Sequence, residues 1–142
     1  MGEESTLFTK IIEGELPCHK LYEDEHTIAF LDIQPLTRGH TLVVPKEPAP
    51  SFDQLSSESA SALGGALPAI CKAVMKATGA TAYNLIQNNG QEAGMSIAHV
   101  HIHIIPRYPS STHSFLWEYG KINHDDAKNL AEAISVAIEG GA

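Results

Sequence analysis

Three of the eight histidines stand at alternate positions within five residues, in the run His99-Val100-His101-Ile102-His103. A β-strand has a side-chain period of two, so these imidazoles share one face while Val100, Ile102 and Ile104 share the other. The apolar face has a plain use in packing against helices. The imidazole face has none, because each buried ring needs hydrogen-bond partners and adds little to a core. Three explanations are open. The row can be purely structural. It can bind a metal, since His-x-His on a strand places two imidazoles on one ion; such a site recruits a further ligand, and the strand carries neither Asp nor Glu. Or one neutral imidazole attacks phosphorus while its neighbours bind the phosphoryl oxygens and protonate the leaving group.

The preceding segment favours nucleophilic catalysis. Asn88-Asn89-Gly90-Gln91-Glu92-Ala93-Gly94-Met95-Ser96 places small residues, amides and a hydroxyl beside the histidines. Glycines let a backbone approach an anion closely and offer it N–H donors. Alone, Asn-Gly marks a turn; next to the histidine row it gives a phosphate site its shape.

The elements that position these groups are those of a small globular chain. Its 142 residues are 43% hydrophobic and 18% charged, enough for one domain with its own core. Nine Lys and Arg against seventeen Asp and Glu leave a net charge of -8. That field disfavours nucleic acid and anionic membranes as partners. Cys18 and Cys71 are far apart and outside any C-x-x-C pair, so they are expected as free thiols in a reducing compartment. No apolar run reaches the roughly 20 residues of a membrane span. The acidic start is unlike a signal peptide, and a cytoplasmic location is expected. The match of Gly2 and Thr6 to a myristoylation pattern lacks a basic patch and is taken as chance.

Hydrophobic periodicity predicts a helix over Leu7 to Glu15, with Phe8, Ile11 and Ile12 on one face. Strands are predicted over Lys20 to Asp24, Thr27 to Leu31, His40 to Val44, Ala82 to Gln87 and His99 to Ile105. Between the third and fourth lies a long helix from Ser56 or Ser57 to Gly79. Its stripe of Leu63, Leu67, Ile70, Val74 and Ala77 suits a core or a dimer seam, and Pro68 should kink it near Gly64-Gly65. A last helix runs from near Asn123 to Gly140-Gly141. Strands adjacent in sequence argue for an α+β fold, an antiparallel sheet packed by helices.

On these residues the chain resembles the histidine triad, or HIT, superfamily. His99-Val100-His101-Ile102-His103-Ile104-Ile105 is similar to the superfamily's His-φ-His-φ-His-φ-φ signature, where φ is apolar. Leu7 to Pro17 resembles its opening segment, Ala29 to Pro35 its second, and Gly39 to Lys46 a third, so the likeness covers Leu7 to about Arg107. It implies a single HIT domain over 1–142 with a five-stranded sheet extended across a homodimer. Residues 108–142 then form a divergent C-terminal extension. The Phe30-Leu31-Asp32-Ile33 segment resembles the Hint branch, which hydrolyses purine nucleoside 5′-phosphoramidates.

The resemblance implies a role for each matching residue. Leu7, Phe8, Ile11, Phe30 and Ile33 would enclose the purine, and Asp32 would accept from the ribose hydroxyls. Asn88, Gly94 and Ser96 would hold the phosphate and leaving group. His101 would be the nucleophile that forms a covalent nucleotidyl-histidine, His103 a phosphate ligand, and His99 and His40 supporting imidazoles.

Some positions depart from the family. Many bacterial relatives hold structural zinc with an opening C-x-x-C and a histidine after the Pro-Lys pair. Here those places read Thr6-Leu7-Phe8-Thr9 and Lys46-Glu47-Pro48, so no metal or other cofactor is expected. Met95 replaces a common Gln, and Pro106-Arg107 is similar to the Fhit branch, which cleaves dinucleoside polyphosphates. The tail, with Trp117, matches no Hint ending. Rival functions are therefore a dinucleoside polyphosphate hydrolase, a non-catalytic nucleotide-binding protein and a metal-dependent hydrolase using the His row. His19, His26, His113 and His124 are expected on the surface, as is Lys46.

Overall fold

A computed structural model of the chain describes residues 6–109 and 118–140. Two compact units divide it, Met1–Ser111 and Thr112–Ala142. The first contains helix α1 (Leu7–Ile12), strands β1 (Lys20–Glu23), β2 (Thr27–Leu31) and β3 (Thr41–Pro45), helix α2 (Ser57–Thr78), and strands β4 (Ala82–Ile86) and β5 (Ile102–Arg107). The second contains helix α3 (His124–Gly140), where Asn123 Oδ1 accepts the Asp126 N–H at 3.0 Å and Asp125 and Asp126 fill the first turn. His113 and Trp117 lie outside the described residues. No described helix is long and apolar enough to cross a membrane.

Five antiparallel strands form the expected sheet, in the order β1-β2-β3-β5-β4. Alternation along the strands divides the core between the two faces. Ala29, Val43, Val100, Ile102 and Ile104 pack against Leu63, Ile70 and Val74 of α2. Ile28, Phe30, Leu42 and Val44 pack beneath Phe8 of α1 on the opposite face. The predicted α2 stripe is thus core through Leu63, Ile70 and Val74, with Leu67 partly buried and Ala77 exposed. Ser56 caps α2 by accepting the Ser59 N–H, and Gly79 closes it in the left-handed conformation at φ +73°. The helix runs on through Pro68.

Two boundaries differ from expectation in ways that shape the site. Helix α1 ends at Ile12, three residues early, because the turn at Gly14 takes a φ of +81°. Strand β5 starts at Ile102 rather than His99. The β3–β5 ladder stops at Val43↔Ile102. Beyond it, Pro45 has no N–H to donate, and the Val100 N–H goes to Ala49 O at 2.9 Å. His99 and His101 therefore sit on an extended lead-in to the strand. Pointing to opposite faces survives the change, since Val100 is fully buried against α2 while His101 meets Phe8.

Gly39 fixes the start of β3. At φ +91°, a Cβ there would lie 2.6 Å from Thr78 Cγ2 and 3.3 Å from Pro106 Cγ. Only glycine lets the loop pass between α2 and β5, and the next residue is His40.

Candidate active site

A cavity of about 520 Å³ opens on the α1 face of the sheet. One end is apolar, formed by Leu7, Phe8 and Ile11 of α1 with Phe30 and Ile33. The α1 helix can stand there because Thr6 caps it, its hydroxyl accepting the Thr9 N–H at 3.2 Å. Phe8 then reaches the sheet and meets Phe30 edge-on at 5.8 Å between centroids. The other end is polar, with Asp32, Ser96, His101 and His103.

Each imidazole is oriented by a specific partner. His101 Nδ1 lies 2.7 Å from His99 O, a contact that only an Nδ1–H can make to a carbonyl, so Nε2 keeps a free lone pair on a ring lining the cavity. His99 Nε2 donates to Pro45 O at 2.8 Å. The Leu36 N–H donates to His40 Nδ1 at 3.0 Å, so the proton of neutral His40 is on Nε2. That nitrogen is 2.9 Å from His103 Nδ1 and 3.5 Å from Asp32 Oδ2. Asp32 is held in turn, with Oδ1 accepting the Gln34 N–H at 2.9 Å.

Burial disfavours a charge on all four rings. It pushes His40, His99 and His101 below the ordinary imidazole value, against smaller upward effects of Asp32 on His40 and His101 and of the Pro45 carbonyl on His99. His103 goes furthest, to about 4, because burial is reinforced by His101 and His40 beside it. At neutral pH the row is uncharged. A neutral imidazole is the form that attacks phosphorus.

Of the residues expected at the site, Leu7, Phe8, Ile11, Phe30, Asp32, Ile33, Ser96, His101 and His103 line the cavity. His40 and His99 stand behind it as ring and main-chain supports. Asn88 and Gly94 do not line it; Gly94 takes φ +92° in the adjacent loop, with Asn88 Nδ2 beside it. Pro17, Cys18, Gln34 and Ile97 also line the cavity, and nothing in their residue types marked them for it. Nor did it mark the Leu36 N–H and the Pro45 carbonyl, since main-chain groups leave no residue-type signal. Lys46 is half-buried, 2.7 Å from Glu23. His26 lies near Glu58, away from the row.

Two metal readings meet these side chains. The family resemblance would put a structural zinc at Thr6, Thr9 and the segment after Lys46. Here the Thr6 hydroxyl is engaged as the α1 cap and lies 3.2 Å from that of Thr9. Neutral hydroxyls in place of thiolates do not make a zinc site. Asp32, His40 and His103 bring one oxygen and two nitrogens within 4.8 Å of one another. The Leu36 N–H, however, keeps the His40 proton on Nε2, the very atom a cation would need, so the donor set fits a hydrogen-bond chain better than a ligand set.

Residues 13–110 match the HIT domain family. The chain is 42% identical over 137 residues to the adenosine 5′-monophosphoramidase hnt1 of Schizosaccharomyces pombe, covering 95% of this chain and 99% of that protein. It is 46% identical over 110 residues to the adenylylsulfatase HINT3 of Arabidopsis thaliana, covering 74% of this chain but only 56% of the plant protein's length. The fold is similar to a crystal structure of a HIT family protein from Bacillus anthracis, with a TM-score of 0.88, 36% identity and coverage of 94% and 97% of the two chains. The chain belongs to the HIT domain family, in its Hint-like branch.

Proposed function

We propose that this protein hydrolyses purine nucleoside 5′-phosphoramidates to the nucleoside monophosphate and an amine, through a nucleotidyl intermediate on His101. One observation carries the mechanism: the Nδ1–H of His101 is engaged by its own main chain, and Nε2 is left as an unprotonated nucleophile at the cavity wall. The base would lie between the α1 residues and Phe30, with the ribose hydroxyls on Asp32. His101 then meets the phosphorus from the sheet side, and His103 and Ser96 donate to its oxygens. Covalent capture splits one hard displacement into two easier ones. Fixed donors around the developing charge supply much of the rate.

The names of the fission-yeast and plant relatives, a phosphoramidase and an adenylylsulfatase, support a scissile bond on the 5′-phosphorus of an adenine nucleotide. The activity is tested by comparing kcat/KM for adenosine phosphoramidate, adenylyl sulfate and diadenosine polyphosphates. Preference for the phosphoramidate is expected. Preference for the dinucleotides would place the chain with the polyphosphate hydrolases, and micromolar AMP binding without turnover of any would make it a binding protein.

A further inference from the structure

A second cavity, of about 460 Å³, lies on the opposite face of the sheet, between α2 and the outer strands β1, β2 and β3. Its shape comes from the order of residues along α2. The helix turns Ile70 and Val74 into the core and leaves Ala69, Ala73 and Ala77 exposed in a row beside them. Residues four apart stack on one helix face, so three methyl groups in line make a shallow, straight wall. Leu21, Tyr22 and Leu31 make the wall across from it. The volume is in the range that encloses a small ligand.

The hydroxyls at this cavity are already engaged. Thr41 Oγ1 donates to Gly39 O at 2.9 Å, Thr78 Oγ1 to Val74 O at 2.8 Å, and the Tyr22 hydroxyl to Asp24 Oδ2. Arg38 differs. Among the described residues it is the one charged group that lines the cavity, and no carboxylate pairs with it. Its side chain is exposed, but its main chain is fixed. Thr37 Oγ1 donates to Pro106 O at 2.7 Å, the Tyr108 hydroxyl donates to Arg38 O, and Gly39 threads between Thr78 and Pro106. A rigid loop thus holds a cation at the rim of an apolar slot. A guanidinium is always charged and meets a carboxylate with two parallel N–H bonds.

We infer that this cavity is a second ligand site for an unbranched aliphatic monocarboxylate, its chain along Ala69, Ala73 and Ala77 and its carboxylate on Arg38. One cation, with the hydroxyls engaged, suits one negative charge. A polyphosphate or an acidic peptide would bring further charges without partners to a protein of net charge -8. The apolar walls offer nothing to a sugar or an amide, which would lose its hydrogen bonds to water there. The site is separate from the nucleotide cavity but adjoins it through the sheet. Leu31 lines both, and its strand partner Thr41 lines the second. The neighbours of this pair along the chain are Asp32, at the nucleotide cavity, and His40, in its hydrogen-bond chain. The two ligands reach the sheet from opposite faces, so both can be bound at once.

Calorimetric titration of the full chain with the even-numbered acids from hexanoate to tetradecanoate, and with decanol, tests the site. All are kept below micelle-forming concentrations. Affinity should rise about 2–4-fold for each added methylene and level off once the cavity is full. Wild type should bind decanoate about 10-fold more tightly than decanol, and Arg38→Gln should bind the two alike. Ala73→Trp, which fills the slot from an exposed position, should abolish decanoate binding and leave AMP binding intact. Saturating AMP should not displace decanoate from wild type. Affinity that climbs through the whole series, or equal binding of acid and alcohol by wild type, would overturn the inference. Decanoate binding that survives Ala73→Trp and is lost to AMP would overturn it too, placing the acyl chain in the nucleotide cavity. Binding of no acid also refutes it, and a change of mass in light scattering on Ala73→Trp would then identify a second copy as the occupant.

Discussion

Phe8 stands edge-on to His101, with ring centroids 4.8 Å apart and planes at 73°. One aromatic side chain thus joins the helix that walls the apolar end of the cavity to the ring that meets phosphorus. It also contacts Phe30 at 5.8 Å and His99 at 6.0 Å, and is 2% exposed. Replacing it by Ala should destabilise the fold by about 3–5 kcal/mol, the usual result of emptying a buried aromatic site. Phe8→Leu should keep most of that stability, yet lower kcat by loosening His101. Urea unfolding and steady-state kinetics on both variants check this; a Phe8→Leu enzyme with wild-type kcat would make the contact structural only.

Acid should unfold this protein in a window set by its histidines. In the unfolded chain the imidazoles take up protons near pH 6.5. Folded, His40, His99, His101 and His103 resist them, His103 down to about 4. Below pH 6.5 the unfolded state therefore binds more protons than the native state, and stability falls as pH falls. Urea midpoints at pH 7.5, 6.5, 5.5 and 4.5 should decline steadily, and His103→Gln should make the decline shallower. Midpoints that hold or rise toward pH 4.5 would contradict the burial of neutral rings.

Catalysis should need no metal. The Leu36 N–H contact holds the His40 proton at Nε2, and Thr6 and Thr9 offer neutral hydroxyls that contact each other. Elemental analysis and turnover in excess EDTA test this. Stoichiometric zinc, or activity lost to EDTA and restored by zinc, would return the Asp32, His40 and His103 group to the status of a ligand set.

Among the described residues, strand β4 ends the sheet with one edge unpaired, and its Tyr83 and Leu85 are 42% and 47% exposed. Such an edge invites a second strand. Pairing with a copy of itself would extend the sheet across a two-fold axis. Light scattering at micromolar concentration should give about twice the 15.3 kDa of the chain. A stable monomer over that range would leave β4 a true edge.

The histidine row, its shared face and the sheet that carries it were legible because a period of two assigns faces without reference to anything distant. Asp32 and Phe30 were legible only through the family likeness; by residue type alone one is a turn acid and the other core. What the residue pattern could not show is how the row is wired. The atoms that decide each tautomer are the Leu36 N–H and the carbonyls of Pro45 and His99. Nearly every residue has such groups, and only the fold brings these few within reach of a ring. The late start of β5 belongs to the same class, since it depends on Pro45 in a neighbouring strand lacking an N–H.

The covalent role of His101 is open to direct measurement. Wild-type protein is mixed with adenosine phosphoramidate labelled in the adenosine, quenched within milliseconds under denaturing alkaline conditions, and mapped by peptide. Label should appear on His101 as an acid-labile, base-stable nucleotidyl adduct. His101→Gly should form none and lose about 10⁴-fold or more in kcat while still binding AMP, as loss of a nucleophile removes the route and not the contacts to base and ribose. Label on His99 or His103, or a His101→Gly enzyme that turns over near the wild-type rate, would contradict the account.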